Sequence, residues 1–345
     1  MKKLEGYLAG VNLGHWISQY EDENANDNYW STYIQESDFK RIKEWGCDHV
    51  RLPIDYPIFY NPETGECIEE GLKYADFAIS CAKKYGLNVV LDLHHTPGYA
   101  FWNKYDKQKN SLFTSEDQQR VFLNIWEMFT NRYKDEGDNL IFELLNELVL
   151  EESGPWNELW PKAVELIHSI SPKRKIIVGS NRWNSVDELK NLTFVDDDRI
   201  IYNFHCYAPI IYTHQRAAWE PDYVAYQRSV TYPFRVSEHI DYFEAMNDKW
   251  IPENFEVIDK NAIRVFLKGA KEFIQEHDVP LYCGEFGVIA NSDDDSAVRW
   301  LNDIIDIFNE YGIGHAVWSY RGFARITDKN NKVIDKRFID AITRK

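Results

Sequence analysis

The run LIFELLNE, residues 140–147, sets the fold question. Its Leu, Ile and Phe residues form a short, nearly continuous apolar stretch, the mark of a strand buried on both faces. Yet it carries Glu143 and finishes on Asn146 and Glu147. Polar groups leave water only for partners, so an amide and a carboxylate at the end of a buried strand imply that this end opens onto a site. Seven more runs have the same make-up: YLAGVNLG (7–14), HVRLP (49–53), LNVVLDLHH (87–95), KIIVGS (175–180), IIYNFHCY (200–207), PLYCGEFG (280–287) and IGHAVWSY (313–320).

Amphipathic stretches separate these runs. SDFKRIKEWG (37–46) places Ser37 as an N-cap and Gly46 as a stop; LKYADFAISCAKKYG (72–86) ends in two lysines and Gly86. In SEDQQRVFLNIWEMFTNRYKDEG (115–137), Phe122, Ile125, Trp126 and Phe129 share one face. ELWPKAVELIHSI (158–170), NAIRVFLKGAKEFIQEH (261–277) and SAVRWLNDIIDIFNEYG (296–312) follow the same helical period. Strands that alternate with helices are parallel. Eight such units in 345 residues predict an α/β protein, a closed (β/α)8 TIM barrel. The alternative is a doubly wound open sheet. No GxGxxG follows the first run, which argues against a dinucleotide site.

One connection is long. About 50 residues follow Tyr207 before the helix near Asn261, and they include Trp219, Tyr223, Tyr226, Tyr232, Phe234, Tyr242, Phe243 and Trp250. Loops of that length form lids, walls or small subdomains. Residues 208–258 are read as an insertion after strand six, forming a lid or cleft wall within a single domain spanning 1–345.

The net charge of −17 repels phosphate backbones and anionic bilayers, so neither nucleic acid nor a membrane is an expected partner. No apolar run is long enough to span a bilayer, and MKKLEGYLAG lacks the apolar core of a secretory leader. A cytoplasmic location is expected, or secretion if a leader has been removed. Five widely spaced cysteines suit free thiols rather than a disulfide framework or a zinc site. Aromatic residues reach 15%, with 12 Trp and 21 Tyr, more than a core alone calls for, so some are expected to line a groove.

Side chains at the C-terminal ends of barrel strands share one bowl. The sequence puts Arg51 on strand two, His94 and His95 on three, Asn146 and Glu147 on four, His205 and Tyr207 on six, Glu285 on seven and Trp318 on eight. Glu147 and Glu285 face each other across that bowl, the layout of glycoside hydrolysis. One carboxyl protonates the leaving oxygen; the other attacks the sugar or stabilises its developing charge. If Arg51 and Tyr207 face Glu285, it is the nucleophile, and Glu147, with the negative Glu285 nearby, keeps its proton as the acid and then turns into the base for water. Asn146 is placed for the sugar 2-hydroxyl and Trp318 for the sugar face. Glu143 is read as a structural ion-pair partner. Adjacent residues on a strand point to opposite faces, so His94 is favoured over His95 for the bowl. Asn181, Trp183 and Trp219 are candidates for sugar contacts further along the cleft. Asn12 and Asp55 are given no role. His94, His95, His205 and Cys206 do not form a tight ligand set, so neither a metal nor a cofactor is expected.

With these residues in place, the chain resembles glycoside hydrolase family 5, the cellulase-rich family. The matching residues are Arg51 in HVRLP, His94 in DLHHTPG, Asn146-Glu147 in ELLNE, His205 and Tyr207 in NFHCY, Glu285 in GEFG and Trp318 in VWSY. NLGHWISQY, HVRLPIDYP, YNFHCY, THQRAAW and LYCGEFGVIA are similar to the CelC-type endo-β-1,4-glucanases of that family. The resemblance implies a retaining barrel enzyme with Glu147 as acid/base and Glu285 as nucleophile, acting on a β-linked glucan or oligosaccharide. A monomer is expected. A β-1,3-glucanase, a β-mannanase and an exo-acting β-glucosidase are the alternatives on the same site. A non-catalytic sugar-binding protein and a metal-dependent barrel hydrolase are the competing classes.

Overall fold

The computed structural model describes residues 2–21, 26–103, 110–322, 326–328 and 330–344. Eight parallel strands close into a barrel: β1 (Ala9–Asn12), β2 (His49–Asp55), β3 (Asn88–His95), β4 (Leu140–Glu143), β5 (Ile176–Gly179), β6 (Ile200–Cys206), β7 (Leu281–Phe286) and β8 (Gly314–Val317). Each strand pairs with its neighbours in sequence, and β1 closes on β8 through Ala9–His315, Gly10–Ala316 and Val11–Val317. The ring excludes the open doubly wound sheet.

Helices cover the outside. Their ends follow from local chemistry. Ser115 accepts from the Gln118 amide at the start of helix Glu116–Arg132, and Asp293 does so from Ser296 at the start of Asp294–Tyr311. Gly86 and Gly312 close their helices in the left-handed conformation, at φ 69° and 70°. The first barrel helix is a correction. It runs Glu36–Glu44 and is capped by Gln35, not Ser37, because Gln35 and Asp38 exchange side-chain and backbone hydrogen bonds in a capping box. The expected helix at 261–277 is two, Lys260–Phe266 and Lys268–His277.

The barrel interior is layered. At the N-terminal end, Val90, Ile141, Ile177, Ile201, Tyr282 and Ala316 form an apolar plug closed by Leu4 and Tyr7. Two residues further along β3, β4 and β6 the buried residues turn polar, at Asp92, Glu143 and Asn203. Outside, the larger core lies between strands and helices, with Trp16, Trp126, Trp156, Trp160 and Trp300 fully buried.

Between β6 and helix Lys260–Phe266 the chain builds short helices and a two-stranded ribbon, Phe234–Arg235 with Val257–Ile258. This insertion is tied to the barrel where Ile289 N–H donates to Thr213 O and where Tyr232 OH donates to Asp303. Among the described residues, no helix is long and apolar enough to cross a membrane.

Candidate active site

Arg51, at the centre of β2, organises the bowl. It is fully buried, and all its N–H groups are engaged. Nε and Nη2 donate to the two oxygens of Glu143 at 2.7 and 2.9 Å. Nη1 donates to Asn12 Oδ1 at 3.0 Å and to Glu285 Oε1 at 2.8 Å. Nη2 also reaches Asn146 Oδ1 at 2.8 Å and Asp92 Oδ2 at 3.0 Å. Burial disfavours the guanidinium charge, but Asp92, Glu143 and Glu285 around it hold its pKa well above the ordinary value. Glu143 is therefore an internal ion-pair partner. Asn203 on β6 completes it with a 2.8 Å hydrogen bond.

Glu285, near the end of β7, has a donor on each oxygen: Arg51 on Oε1 and the Tyr207 hydroxyl on Oε2 at 2.9 Å. Burial, then the charge of Glu285, pushes the Tyr207 phenol well above its usual pKa, so it keeps the proton it donates. The strand approaches closely here because residue 284 is glycine; a Cβ would lie 2.9–3.0 Å from Asn203 and His205.

Glu147 sits beyond the regular end of β4. The ladder stops at Glu143, and Asn146 and Glu147 follow in an irregular segment whose Asn146 N–H still donates to Leu93 O. Tyr99 OH fixes this segment by donating to Glu147 O at 3.0 Å and accepting from Val149 N–H at 2.6 Å. The carboxyl meets His205 Nδ1 at 2.9 Å, and the same Nδ1 is 3.8 Å from Glu285. Burial raises the Glu147 pKa to about 7, with Glu143 adding to it and His94 and Arg51 opposing. Desolvation therefore sets this acid's pKa, rather than the charge of Glu285 invoked from sequence. His205 is pushed down to about 4 by burial and is a neutral imidazole at neutral pH.

On the opposite wall, His94 Nδ1 meets Asp92 Oδ2 at 2.8 Å, and its ring stacks on Trp318 with centroids 5.7 Å apart and planes 13° apart. Its Nε2 lies 3.5 Å from Asn146 Nδ2. His15 meets the Trp318 edge at 5.7 Å. Thus Arg51, His94, Asn146, Glu147, His205, Tyr207, Glu285 and Trp318 form one connected cluster.

Three further candidate residues stand outside this cluster. His95 Nδ1 is 2.9 Å from Asp55, and its ring meets Tyr56 and the exposed Trp102. Trp219 is 55% exposed on the insertion and meets the edge of His214, which in turn meets Tyr207. Asn181 is a correction. It is fully buried, accepts from Leu150 N–H and donates to Leu150 O, so its amide clamps the chain after β4 instead of facing the cleft. Asn12, given no role from sequence, and Asp92 and Asn203 also belong to the network around Arg51. Their signal was a lone polar residue inside an apolar run, two places before His94 and His205 for Asp92 and Asn203.

Glu147, His205 and Glu285 offer three ligand atoms within 4.8 Å of one another. Both Glu285 oxygens already face N–H or O–H donors, which makes the trio a poor cradle for a cation. Two buried carboxyl groups with oxygens within 4.8 Å of each other, one ion-paired and one with a raised pKa, at the C-terminal mouth of a (β/α)8 barrel, match the layout of a retaining glycosidase.

Comparison with known proteins narrows the class. Residues 11–324 match the model of the cellulase family, glycosyl hydrolase family 5. The chain is 42% identical to Endoglucanase C of Acetivibrio thermocellus over 347 residues, covering 99% of each protein. It is 36% identical to Cellodextrinase A of Ruminococcus flavefaciens over 316 residues, 91% of this chain and 85% of that protein. Endoglucanase Cel5A from the hyperthermophile Thermotoga maritima superposes with a TM-score of 0.78 at 25% identity, covering 98% and 97% of the two chains. The chain belongs to glycosyl hydrolase family 5 and is a glycoside hydrolase of that retaining family.

Proposed function

We propose that the protein is an endo-β-1,4-glucanase that cleaves soluble β-glucans or cello-oligosaccharides by double displacement. The observation that carries this reading is the unequal carboxyl pair, Glu285 against Arg51 and Tyr207, and Glu147 with its pKa raised to about 7. The relatives named as endoglucanases support the substrate class.

Glu285 attacks the anomeric carbon while Glu147 gives its proton to the departing glycosidic oxygen. The nucleophile's charge is consumed in the glycosyl-enzyme. Glu147, now a carboxylate, takes a proton from water, and the water displaces Glu285 with net retention. Arg51 holds Glu285 and Asn146 together, leaving the Asn146 amide N–H for the sugar 2-hydroxyl. His94 and Trp318 form the wall against the sugar next to the cut. The insertion, through Trp219 and His214 against Tyr207, borders one side of the cleft.

Reducing-sugar release from carboxymethyl-cellulose, mixed-linkage β-glucan, laminarin and mannan tests this. Wild type should cut the first two, and Glu285→Gln should lose at least ~10⁴-fold in rate, in the range seen when a catalytic nucleophile is removed. Cleavage of laminarin or mannan in preference would overturn the substrate. Activity surviving in the variant would overturn the site.

A further inference from the structure

The loop after β5 carries a device that the reaction scheme above does not use. Arg182, Trp183 and Asn184 all adopt the left-handed conformation, at φ 51°, 57° and 54°. Consecutive left-handed residues without glycine are rare. The turn is pinned at both ends: Ser180 Oγ donates to Ser185 O at 2.7 Å, and Trp183 N–H donates to Leu148 O at 2.8 Å, in the segment that carries Glu147. Its product is the placement of one amide. Asn184 is fully buried with Nδ2 3.2 Å from His205 Nε2. Gly179 makes the room, since a Cβ there would lie 2.5 Å from Asn184 Oδ1 and 2.9 Å from Nδ2. Among the described residues Oδ1 has no hydrogen-bond partner, so the amide is not held there to satisfy the backbone.

We infer that Asn184 is a positioning residue for proton transfer: its amide donates to His205 Nε2, fixing the imidazole as the Nδ1–H tautomer that donates to Glu147. This inference rests on Glu147 being the acid.

The geometry requires that tautomer. Nδ1 faces two carboxyl groups, Glu147 at 2.9 Å and Glu285 at 3.8 Å. A lone pair there would meet only acceptors whenever Glu147 is ionised. Burial keeps His205 neutral, so it has a single N–H, and Nε2 must accept. An amide N–H₂ is the group that meets this need. The consequence lies in where Glu147 holds its proton. With Nδ1–H donating to Oε1, that oxygen is an acceptor throughout the cycle, and the acid proton rests on Oε2. With the opposite tautomer, Nδ1 would accept the Glu147 proton and hold it away from the leaving group.

The test uses ¹⁵N-histidine-labelled protein and two substrates. In wild type, the His205 shifts should show Nδ1 protonated and Nε2 bare. In Asn184→Asp, the acceptor-only carboxylate should bring a proton to Nε2, either by switching the tautomer or by forming an imidazolium that strips Glu147 of its proton. Either way kcat/KM on cellotetraose should fall on the order of 10²-fold, the scale of one impaired general acid. On 2,4-dinitrophenyl β-cellobioside, whose leaving group needs no proton, kcat/KM should stay within about twofold. A bare Nδ1 in wild type, or equal loss on both substrates, would overturn the inference. Should the Asp variant fail to fold, Asn184→Gly accepts the same backbone and removes the donor, and mixed tautomers with the same selective loss are expected. Glu147→Gln is the control for the underlying reading: if it too spares cellotetraose cleavage, Glu147 is not the acid, whatever His205 does. If it abolishes that cleavage while Asn184→Asp behaves as wild type, only the role of Asn184 falls.

Discussion

Val90 and Asp92 stand two residues apart on β3, as do Ile141 and Glu143 on β4 and Ile201 and Asn203 on β6. All six are fully buried inside the same barrel. The lower set joins Ile177, Tyr282 and Ala316 in an apolar plug, whereas the upper set joins Arg51 in a network of charge-assisted hydrogen bonds. Equal burial thus serves two ends. The plug stabilises by removing apolar surface from water and needs no defined geometry. The upper layer gains little net stability from its ion pairs, because desolvating them costs nearly as much as their attraction returns. What it supplies is direction: each donor of Arg51 is aimed, and the aim fixes Glu285 and Asn146.

That contrast can be broken from either side. The largest effect should come from Arg51→Met, which leaves Asp92, Glu143 and Glu285 buried without their cation. A loss of ~4 kcal/mol in chemical denaturation is expected, with glucan cleavage abolished. Retention of stability within about 1 kcal/mol would mean the carboxylates simply take up protons and the network is not held by its charge. Ile177→Ala in the plug should cost ~3 kcal/mol through lost contact and a cavity, but leave kcat/KM of the folded enzyme unchanged. A fall in kcat/KM there would show that the two layers are mechanically coupled.

The smallest effect sharpens the picture within the upper layer. The folded-state pKa of Glu147, about 7, lies above its ordinary 4.5. Such a group contributes its full stability below pH 4.5 and loses it as pH rises through 7. At pH 8 the buried carboxylate should cost up to ~3 kcal/mol. Glu147→Gln should therefore melt higher than wild type at pH 8, the gap closing toward pH 4. Glycosylation should likewise weaken above pH 7, as the acid ionises. An equal gap at both pH values would place the gain in packing rather than in ionisation.

Much of this was legible in the residues. Eight apolar runs of strand length, alternating with capped helices, led to the closed parallel barrel, and polar residues at their ends marked the mouth. Asp92 and Asn203 were legible too, as single polar residues in otherwise apolar runs, but a lone Asp gives no hint of which arginine it meets. Asn181 misled because a polar residue after a strand end looks the same whether it faces a cleft or its neighbour's backbone. Asn184 gave no signal at all: an Asn in a loop is ordinary until a left-handed turn buries it against a histidine.

The sequence by itself determined the eight nearly continuous apolar runs of strand length, the helix stops at Gly86 and Gly312, and the presence of Glu147 and Glu285 at strand ends. These are local properties, fixed by which residue follows which. Tertiary structure alone decided that Arg51 touches three carboxylates from β3, β4 and β7, that burial rather than a neighbouring charge lifts Glu147, and that His205 lies between the two acids with Asn184 behind it. Those outcomes depend on distances between residues 21 to 234 positions apart in the chain, and only closure of the barrel sets such distances.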